Sequence, residues 1–224
     1  DPRRKRLQVQ VDWPGATKIS LEIPEAGLRV EGPPGPHTLT FNEFAPWTPS
    51  TPHLYTLHCS ADIGAPVNVA IGMREVSVQE QRFTLNQRPT LLKGLRYPAA
   101  ELAAADSERL RTYATALRDN GFNWLRCRAG DFGLDALLDA ADSLGLLVSL
   151  VLEQSRNATA MDEIVRRFHH HPSLMFWELE QDSEEVAAAL READPLRPVI
   201  AHPAAGGTGR VFRPFQAQAE RFEP

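Results

Sequence analysis

Apolar and polar residues alternate with a period of two through the first ~80 residues of the chain. In such a run one face is apolar, as in a β-strand that packs on a core on one side and meets water on the other. The alternating runs are Leu7-Val9-Val11-Trp13, Ile19-Leu21-Ile23, Leu28-Val30, Leu39-Phe41, Leu54-Thr56-His58 and Val67-Val69-Ile71. Turn residues separate them, at Pro14-Gly15, at Pro24 and at positions 32–36. Several short strands separated by such turns predict a small β-sandwich.

From about Thr90 onward, helical stripes alternate with continuous apolar runs. One stripe consists of Leu110, Tyr113, Ala114 and Leu117, and further helices are predicted at positions 134–144, 161–168 and 186–193. Strands are predicted at positions 122–127, 146–152, 174–179 and 198–201. The uniformly apolar run 146–152 is typical of a parallel strand that is covered on both faces. This alternation predicts a parallel sheet or barrel, and residues 72–89 are predicted as a last pair of strands before it.

Composition and charge bear on which partners the chain can bind and on where in the cell it can be located. The chain carries 24 basic and 29 acidic side chains, with the two signs interspersed and a formal net charge of −5, which argues against a nucleic-acid partner. The longest apolar stretch, 144–152, is too short to cross a bilayer, so we expect no membrane insertion. No secretory signal pattern opens the sequence. The thiols of Cys59 and Cys127 leave cytoplasmic and periplasmic or secreted locations open.

We expect neither a cofactor nor a metal. The three histidines from His169 to His171 point in different directions at a helix end, so they cannot all bind one ion, and we interpret them as a cationic helix terminus. The two cysteines have no CxxC spacing. The glycine-rich segment 206–209 lacks the strand, helix and Lys of a phosphate-binding loop.

Three collinear sets of residues resemble glycoside hydrolase family 2, the group of β-galactosidases, β-glucuronidases and β-mannosidases. The first is Trp47-Thr48-Pro49-Ser50-Thr51-Pro52-His53-Leu54-Tyr55. The second is Gly72-Met73-Arg74, Phe83-Thr84-Leu85-Asn86 and Leu92-Lys93-Gly94. The third is His171-Pro172-Ser173 with Trp177, followed by Asp194-Pro195-Leu196-Arg197-Pro198-Val199. The resemblance implies an immunoglobulin-like β-sandwich at residues 1–82. It implies a partial TIM-type (β/α)₈ barrel of about five strands at residues 83–224.

The resemblance also implies candidate site residues. The family's Asn-Glu pair, which carries the catalytic acid/base, falls on Gln181 and Asp182, so Asp182 is a candidate acid/base with a side chain one methylene shorter. Candidate substrate contacts are Arg126, Gln181, Trp177, Glu180 and Glu153. The family's two histidines at the first and second strands fall on Pro98 and Ala129, whereas Arg126 and Asp142 match. Side chains alternate along a strand, so Glu178, Glu180 and Asp182 share one face. Whether these acids face the barrel or have a structural, solvated role stays open.

A retaining glycosidase needs two carboxyl groups beside the scissile bond. The resemblance places the nucleophile on a later strand, and no Glu-[Tyr/Phe/Leu]-Gly segment occurs at positions 206–224. Three functions stay open. The first is a catalytically degenerate or incomplete family 2-like protein with a carbohydrate-related or scaffolding role. The second is a fragment of an active retaining β-glycosidase whose nucleophile lies C-terminal to this sequence. The third is a structural domain of a larger cell-surface protein.

An open half-barrel has a consequence for partners. Its terminal strand exposes unpaired backbone groups, which attract another strand. We therefore expect further strands, the C-terminal tail, a complementary chain or a second copy of this chain to cover that edge. Carbohydrate is the expected small-molecule partner.

Overall fold

The computed structural model describes residues 5–79, 82–152, 158–180 and 183–201. The first part consists of β1 (Arg6–Val11), β2 (Ile19–Ile23), β3 (Leu28–Gly32), β4 (Gly35–Thr40), β5 (Tyr55–Ala61) and β6 (Val67–Ile71), with a 3₁₀ turn at Pro24–Ala26. All pairings are antiparallel, in one sheet of order β3-β2-β5-β6 and a second of β1 and β4. Inward positions predicted by the alternation, such as Ile19, Leu21 and Phe41, are buried in one core. In β5 the predicted face is wrong: the apolar side chains of Tyr55 and Leu57 are buried, whereas Thr56 and His58 are only partly buried. The predicted β-sandwich is therefore present.

A three-stranded antiparallel sheet follows, formed by β7 (Val76–Gln79), β8 (Arg82–Leu85) and β9 (Arg88–Pro89). Asn86 and Gln87 join β8 to β9 and both have positive φ, 50° and 65°, as the tightest hairpin turns require. The pair of strands predicted for residues 72–89 is present and gains a short third strand.

The remaining strands form one parallel sheet in consecutive order. The strands are β10 (Gly94–Arg96), β11 (Trp124–Arg128), β12 (Leu147–Leu152), β13 (Leu174–Leu179) and β14 (Val199–Ala201). The helices between them are α1 (Ser107–Asp119), α2 (Leu134–Leu144), α3 (Ala158–Phe168) and α4 (Glu184–Ala193). Side chains of Asp106 and Ser183 accept hydrogen bonds at the starts of α1 and α4, which fixes where these helices begin.

The two faces of the parallel sheet pack against different partners. Helices α1–α4 cover one face, where Leu125, Leu150 and Trp177 share a core with the helical stripes. We call the opposite side the helix-free face. Its amino-terminal end is filled by apolar residues of the strands and of the three-stranded sheet, including a stacked pair, Phe83 and Phe176, with ring centroids 4.7 Å apart. Its carboxyl-terminal end carries polar side chains instead.

The H-P-S segment joins the sandwich to the parallel sheet. Arg74 is buried and donates hydrogen bonds to the carbonyl oxygens of Pro172, at 3.0 Å, and Leu174. Asp142 accepts from His171 Nδ1 at 2.6 Å and from the Ser173 backbone N–H at 2.9 Å. Arg74 thus pairs with backbone groups across the two parts of the chain, and Asp142 pairs with the H-P-S segment within the second part. Groups that would be costly to bury alone are in this way satisfied.

Candidate functional site

Polar side chains gather at the carboxyl ends of β11, β12 and β13 on the helix-free face. Period-two alternation points Trp124, Arg126 and Arg128 to this face, and it points Leu125 and Cys127 to the helices. The carboxyl ends of parallel strands meet at one edge of a sheet, which is where α/β folds bind ligands. This edge is the candidate site.

Glu178 is the centre of the site. Its side chain is 1% exposed. One carboxylate oxygen accepts a hydrogen bond from Arg126 Nε at 2.8 Å, and the other accepts from the Ser149 hydroxyl at 2.5 Å. Ser149 Oγ also accepts from Trp124 Nε1 at 3.2 Å. This carboxyl group is held by a guanidinium and a hydroxyl, and neither of its oxygens is directed at solvent.

A second ion pair lies nearer the rim. Arg128 Nη2 contacts Glu180 Oε1 at 2.9 Å, and the two side chains are 35% and 43% exposed. The Arg128 backbone N–H donates to Asp131 Oδ2 at 2.7 Å, which fixes the start of the loop after β11. Because both groups meet solvent, this pair stabilises the fold little and its carboxylate stays accessible.

Two neighbouring groups are unreactive. Burial, followed by the negative charges of Asp131 and Glu178, holds the pKa of the Cys127 thiol well above its usual range, so this thiol is no nucleophile at neutral pH. Burial raises the pKa of Tyr97 to about 12, so its phenol stays protonated. It donates a hydrogen bond to the Phe132 carbonyl oxygen at 3.1 Å.

The predicted site residues fall into three groups. Arg126 and Glu180 lie on the helix-free face at the candidate site. Trp177 is fully buried in the helix-side core, where its Nε1 donates to Asp194 Oδ2 at 3.0 Å. The remaining candidates, Gln181, Asp182 and Glu153, lie outside the described residues.

Sequence reasoning missed Ser149 and Arg128 as members of the site, and it did not find the pairing of Glu178 with Arg126. One signal was available. Arg126 and Arg128 are two residues apart on one strand, and Glu178 and Glu180 repeat that spacing with opposite charge two strands away. Complementary charges at matching periods indicate two same-face ion pairs across a sheet.

The histidines from His169 to His171 were interpreted as a cationic helix terminus, but His170 does not fit that interpretation. Burial, followed by the charge of His171, lowers the pKa of His170 to about 4, so His170 is neutral near pH 7. The cationic groups in the last turn of α3 are Arg166 and Arg167. The positive charges that interact favourably with the carboxyl end of α3 are therefore those of Arg166 and Arg167, and not that of His170.

One group of side chains has the spacing of a metal site. Ligand atoms of Asp139, Asp142 and His171 lie within 4.8 Å of one another. Both oxygens of Asp142 already accept hydrogen bonds, from His171 and from the Ser173 backbone. Asp142 and His171 are therefore a satisfied, buried polar anchor for the H-P-S segment, whereas Asp139 is exposed beside them.

Known proteins share both the sequence pattern and this fold. No family model matches the chain. A β-galactosidase of Enterobacter cloacae is 24% identical over 211 residues, which cover 80% of this chain and 20% of that enzyme. A β-galacturonidase of glycoside hydrolase family 2 from Eisenbergiella tayi, solved with galacturonate, superimposes with a TM-score of 0.69 at 18% identity over 90% of this chain. The chain is related to glycoside hydrolase family 2. The family 2 resemblance of the sequence motifs is thereby confirmed, at low identity over most of the chain.

The family 2 relatives are much longer than this chain. It spans about a fifth of the curated relatives that it matches. A β-D-glucuronidase of Dictyoglomus thermophilum superimposes with a TM-score of 0.68 at 19% identity, over 87% of this chain and 41% of that enzyme. The structural matches show that the sandwich and the parallel sheet have a family 2 fold. No helix among the described residues is long and apolar enough to cross a membrane.

Proposed function

We propose that residues 1–82 are the immunoglobulin-like domain of a family 2-like protein and that residues 83–224 begin its TIM-type (β/α)₈ barrel. Consecutive parallel strands with helices on one face support the barrel assignment. So does the division of the helix-free face into an apolar amino end and a polar carboxyl end, because barrel enzymes place their sites at the carboxyl ends of the strands.

We propose further that this chain binds carbohydrate at the carboxyl ends of β11–β13 and does not itself hydrolyse glycosidic bonds. The observation that carries the proposal is the burial of Glu178 between Arg126 and Ser149. A retaining mechanism needs two carboxyl groups about 5–5.5 Å apart that reach the substrate. Glu178 is enclosed and ion-paired, so it reaches no substrate. Glu180 is accessible but paired with Arg128, so at most one of these two carboxyl groups can meet a substrate.

The proposed residue roles follow from placement and from the family alignment. Asp182 is the proposed remnant of the acid/base, with a side chain one methylene shorter than the family's Glu. A proton donor displaced by about 1 Å costs about 10²-fold in rate, which supports the loss of hydrolysis. Arg126, Glu180, Gln181 and Glu153 are the proposed sugar contacts. For Trp177 we propose a supporting role, because its indole packs behind β13 and holds the strand that carries Glu178.

Thermal unfolding of the chain with a panel of methyl β-glycosides tests carbohydrate binding. A ligand that binds only the folded state raises the melting temperature in a saturable way. We expect at least one glycoside to raise the melting temperature of the native chain and of Asp182→Asn, because asparagine keeps the shape of the aspartate side chain. Glycerol at equal concentration is the control. Equal melting temperatures with glycerol and with every glycoside would favour a structural domain of a larger cell-surface protein.

The second candidate function is one part of an active retaining β-glycosidase. The share of the glucuronidase that the chain covers, 41%, supports it. In that case a longer polypeptide with the remaining barrel strands hydrolyses a β-glycoside, and Asp182→Asn abolishes the reaction. Lack of turnover by such a polypeptide across a broad panel of glycosides would exclude it.

A further inference from the structure

Two arginines lie side by side at the carboxyl ends of β10 and β11. In the parallel register Arg96 pairs with Arg126, directly after the pair Leu95 and Leu125. Leu125 faces the helices, so alternation points both arginines to the helix-free face. Neighbouring strands are about 4.8 Å apart, which brings the two side chains within reach of one ligand group.

These two arginines hold unused hydrogen-bond donors. Arg126 donates through Nε to Glu178, and its side chain is 28% exposed. In residues 5–79, 82–152, 158–180 and 183–201, its two Nη groups and the exposed guanidinium of Arg96 have no hydrogen-bond acceptor. Like charges directly opposite each other across strands are destabilising, and Glu178 compensates only one of the two. An anion between the two guanidinium groups would satisfy both.

An exposed aromatic ring lies on the loop that follows β11. The side chain of Phe132 is 61% exposed, although Phe is a residue that proteins usually bury. Its backbone is held in place, because Tyr97, next in sequence to Arg96, donates its phenol to the Phe132 carbonyl oxygen. Asp131 holds the same loop through the Arg128 backbone N–H. A ring presented on a fixed backbone offers an electron-rich face to the C–H groups of a sugar ring.

We infer that Arg96 and Arg126 bind an anionic substituent of a saccharide, a carboxylate or a sulfate, and that Phe132 stacks on the sugar ring. The inference rests on the proposed carbohydrate function and specifies the class of sugar. Planar guanidinium groups match the oxygen pairs of these anions and bind them through two parallel hydrogen bonds. The aromatic ring adds a contact that a free inorganic anion cannot make.

Titration calorimetry of the native chain separates the possible ligands. The probes are methyl β-D-glucuronide, glucose 6-sulfate, neutral methyl β-D-glucoside and inorganic sulfate. We expect one acidic sugar to bind at least about tenfold more tightly than the neutral glycoside and than inorganic sulfate. The preferred acidic sugar then identifies the anionic group. Arg96→Gln should lower that affinity about tenfold, Arg96→Lys less, and Phe132→Ala should weaken sugar binding while leaving sulfate binding unchanged.

Arg109→Gln is the matched control, because Arg109 is an exposed arginine on α1 outside the site. Its affinities should equal those of the native chain. Equal affinity for neutral and acidic sugars would overturn the inference and leave the proposed function standing. Sulfate binding as tight as that of the acidic sugars, unaffected by Phe132→Ala, would overturn the saccharide assignment. Binding of none of the sugars would overturn both the inference and the proposed function.

Discussion

At the scale of the residue, the function proposed here depends on how one carboxylate is placed. Glu178 and Glu180 are two residues apart on β13, yet one is enclosed and the other is 43% exposed. The sequence predicted their shared face but not this difference. Glu178 is bonded to Arg126 and Ser149, which come from other strands, and strand alternation alone carries no information about burial depth.

Substitution of Glu178 tests this difference. Glu178→Gln keeps the shape of the side chain but removes the charge that pairs with Arg126. We expect a loss of about 1–3 kcal/mol in the free energy of unfolding, because a hydrogen bond to a charged group is lost in a buried position. The matched control, Glu180→Gln, should change stability by about 0–1 kcal/mol. Urea unfolding of both variants measures the difference, and equal losses would refute the burial argument.

A second residue predicts a dependence of stability on pH. The pKa of His170 falls from 6.5 unfolded to about 4 in the folded state, mainly through burial. Between these values the unfolded chain binds more protons, so the free energy of unfolding decreases as pH falls from about 6.5 to 4. His170→Gln should make that decrease smaller, and a substitution of the exposed His53 should not. Identical pH profiles for native chain and His170→Gln, measured by urea unfolding, would contradict the burial of this ring.

At the scale of the element, helix ends and interfaces set the fold. Helix α2 ends at Gly145, which has φ 79° and donates its N–H to the Ala141 carbonyl oxygen. A Cβ on Gly145 would lie 2.1 Å from the Pro49 carbonyl oxygen, in the loop of the sandwich. The helix predicted at positions 134–144 has the observed end, directly before this glycine. The sequence could not predict the contact with Pro49, because the two residues are distant in the chain.

Two glycine substitutions separate the cost of a left-handed backbone from the cost of the contact with Pro49. Gly121→Ala, at φ 77°, meets only the end of the Lys93 side chain at 3.6 Å, so it should cost about 1–2 kcal/mol for the left-handed backbone alone. Gly145→Ala should cost clearly more, because the sandwich loop must also move. Thermal unfolding of the two variants provides the comparison. Equal costs would mean that the sandwich and α2 are not in close contact.

The sequence predicted strands well where a single hydrophobic period runs through them. It did not predict features that depend on contacts between residues far apart in the chain. Alternation located the strands of the sandwich, and apolar runs located β12 and β13. The short third strand, β9, has only two residues and no pattern of its own. Trp177 was predicted to contact substrate from a family motif, whereas the fold turns its indole towards the helices. The face that a residue occupies depends on strand register, which a motif does not contain.

At the scale of the whole molecule, the edge of the parallel sheet predicts self-association. Strand β10 is the first strand of the sheet, and none of the described residues pairs with its outer edge. Leu95 on this strand is 39% exposed. We expect the 224-residue chain to dimerise in sedimentation velocity experiments, and Leu95→Lys to shift it towards monomer. Leu196→Lys, at another exposed leucine, is the control, and a monodisperse, stable monomer would refute the prediction.

The family 2 relation and the enclosed Glu178 support the proposal that this chain binds sugar and has no hydrolytic activity of its own. The most direct test is the release of nitrophenol from a panel of aryl β-glycosides by the native chain and by Asp182→Asn. We expect both proteins to release nitrophenol only at the rate of the buffer blank. Release that depends on Asp182 would show that the chain is a working glycosidase and would contradict the proposed loss of hydrolysis.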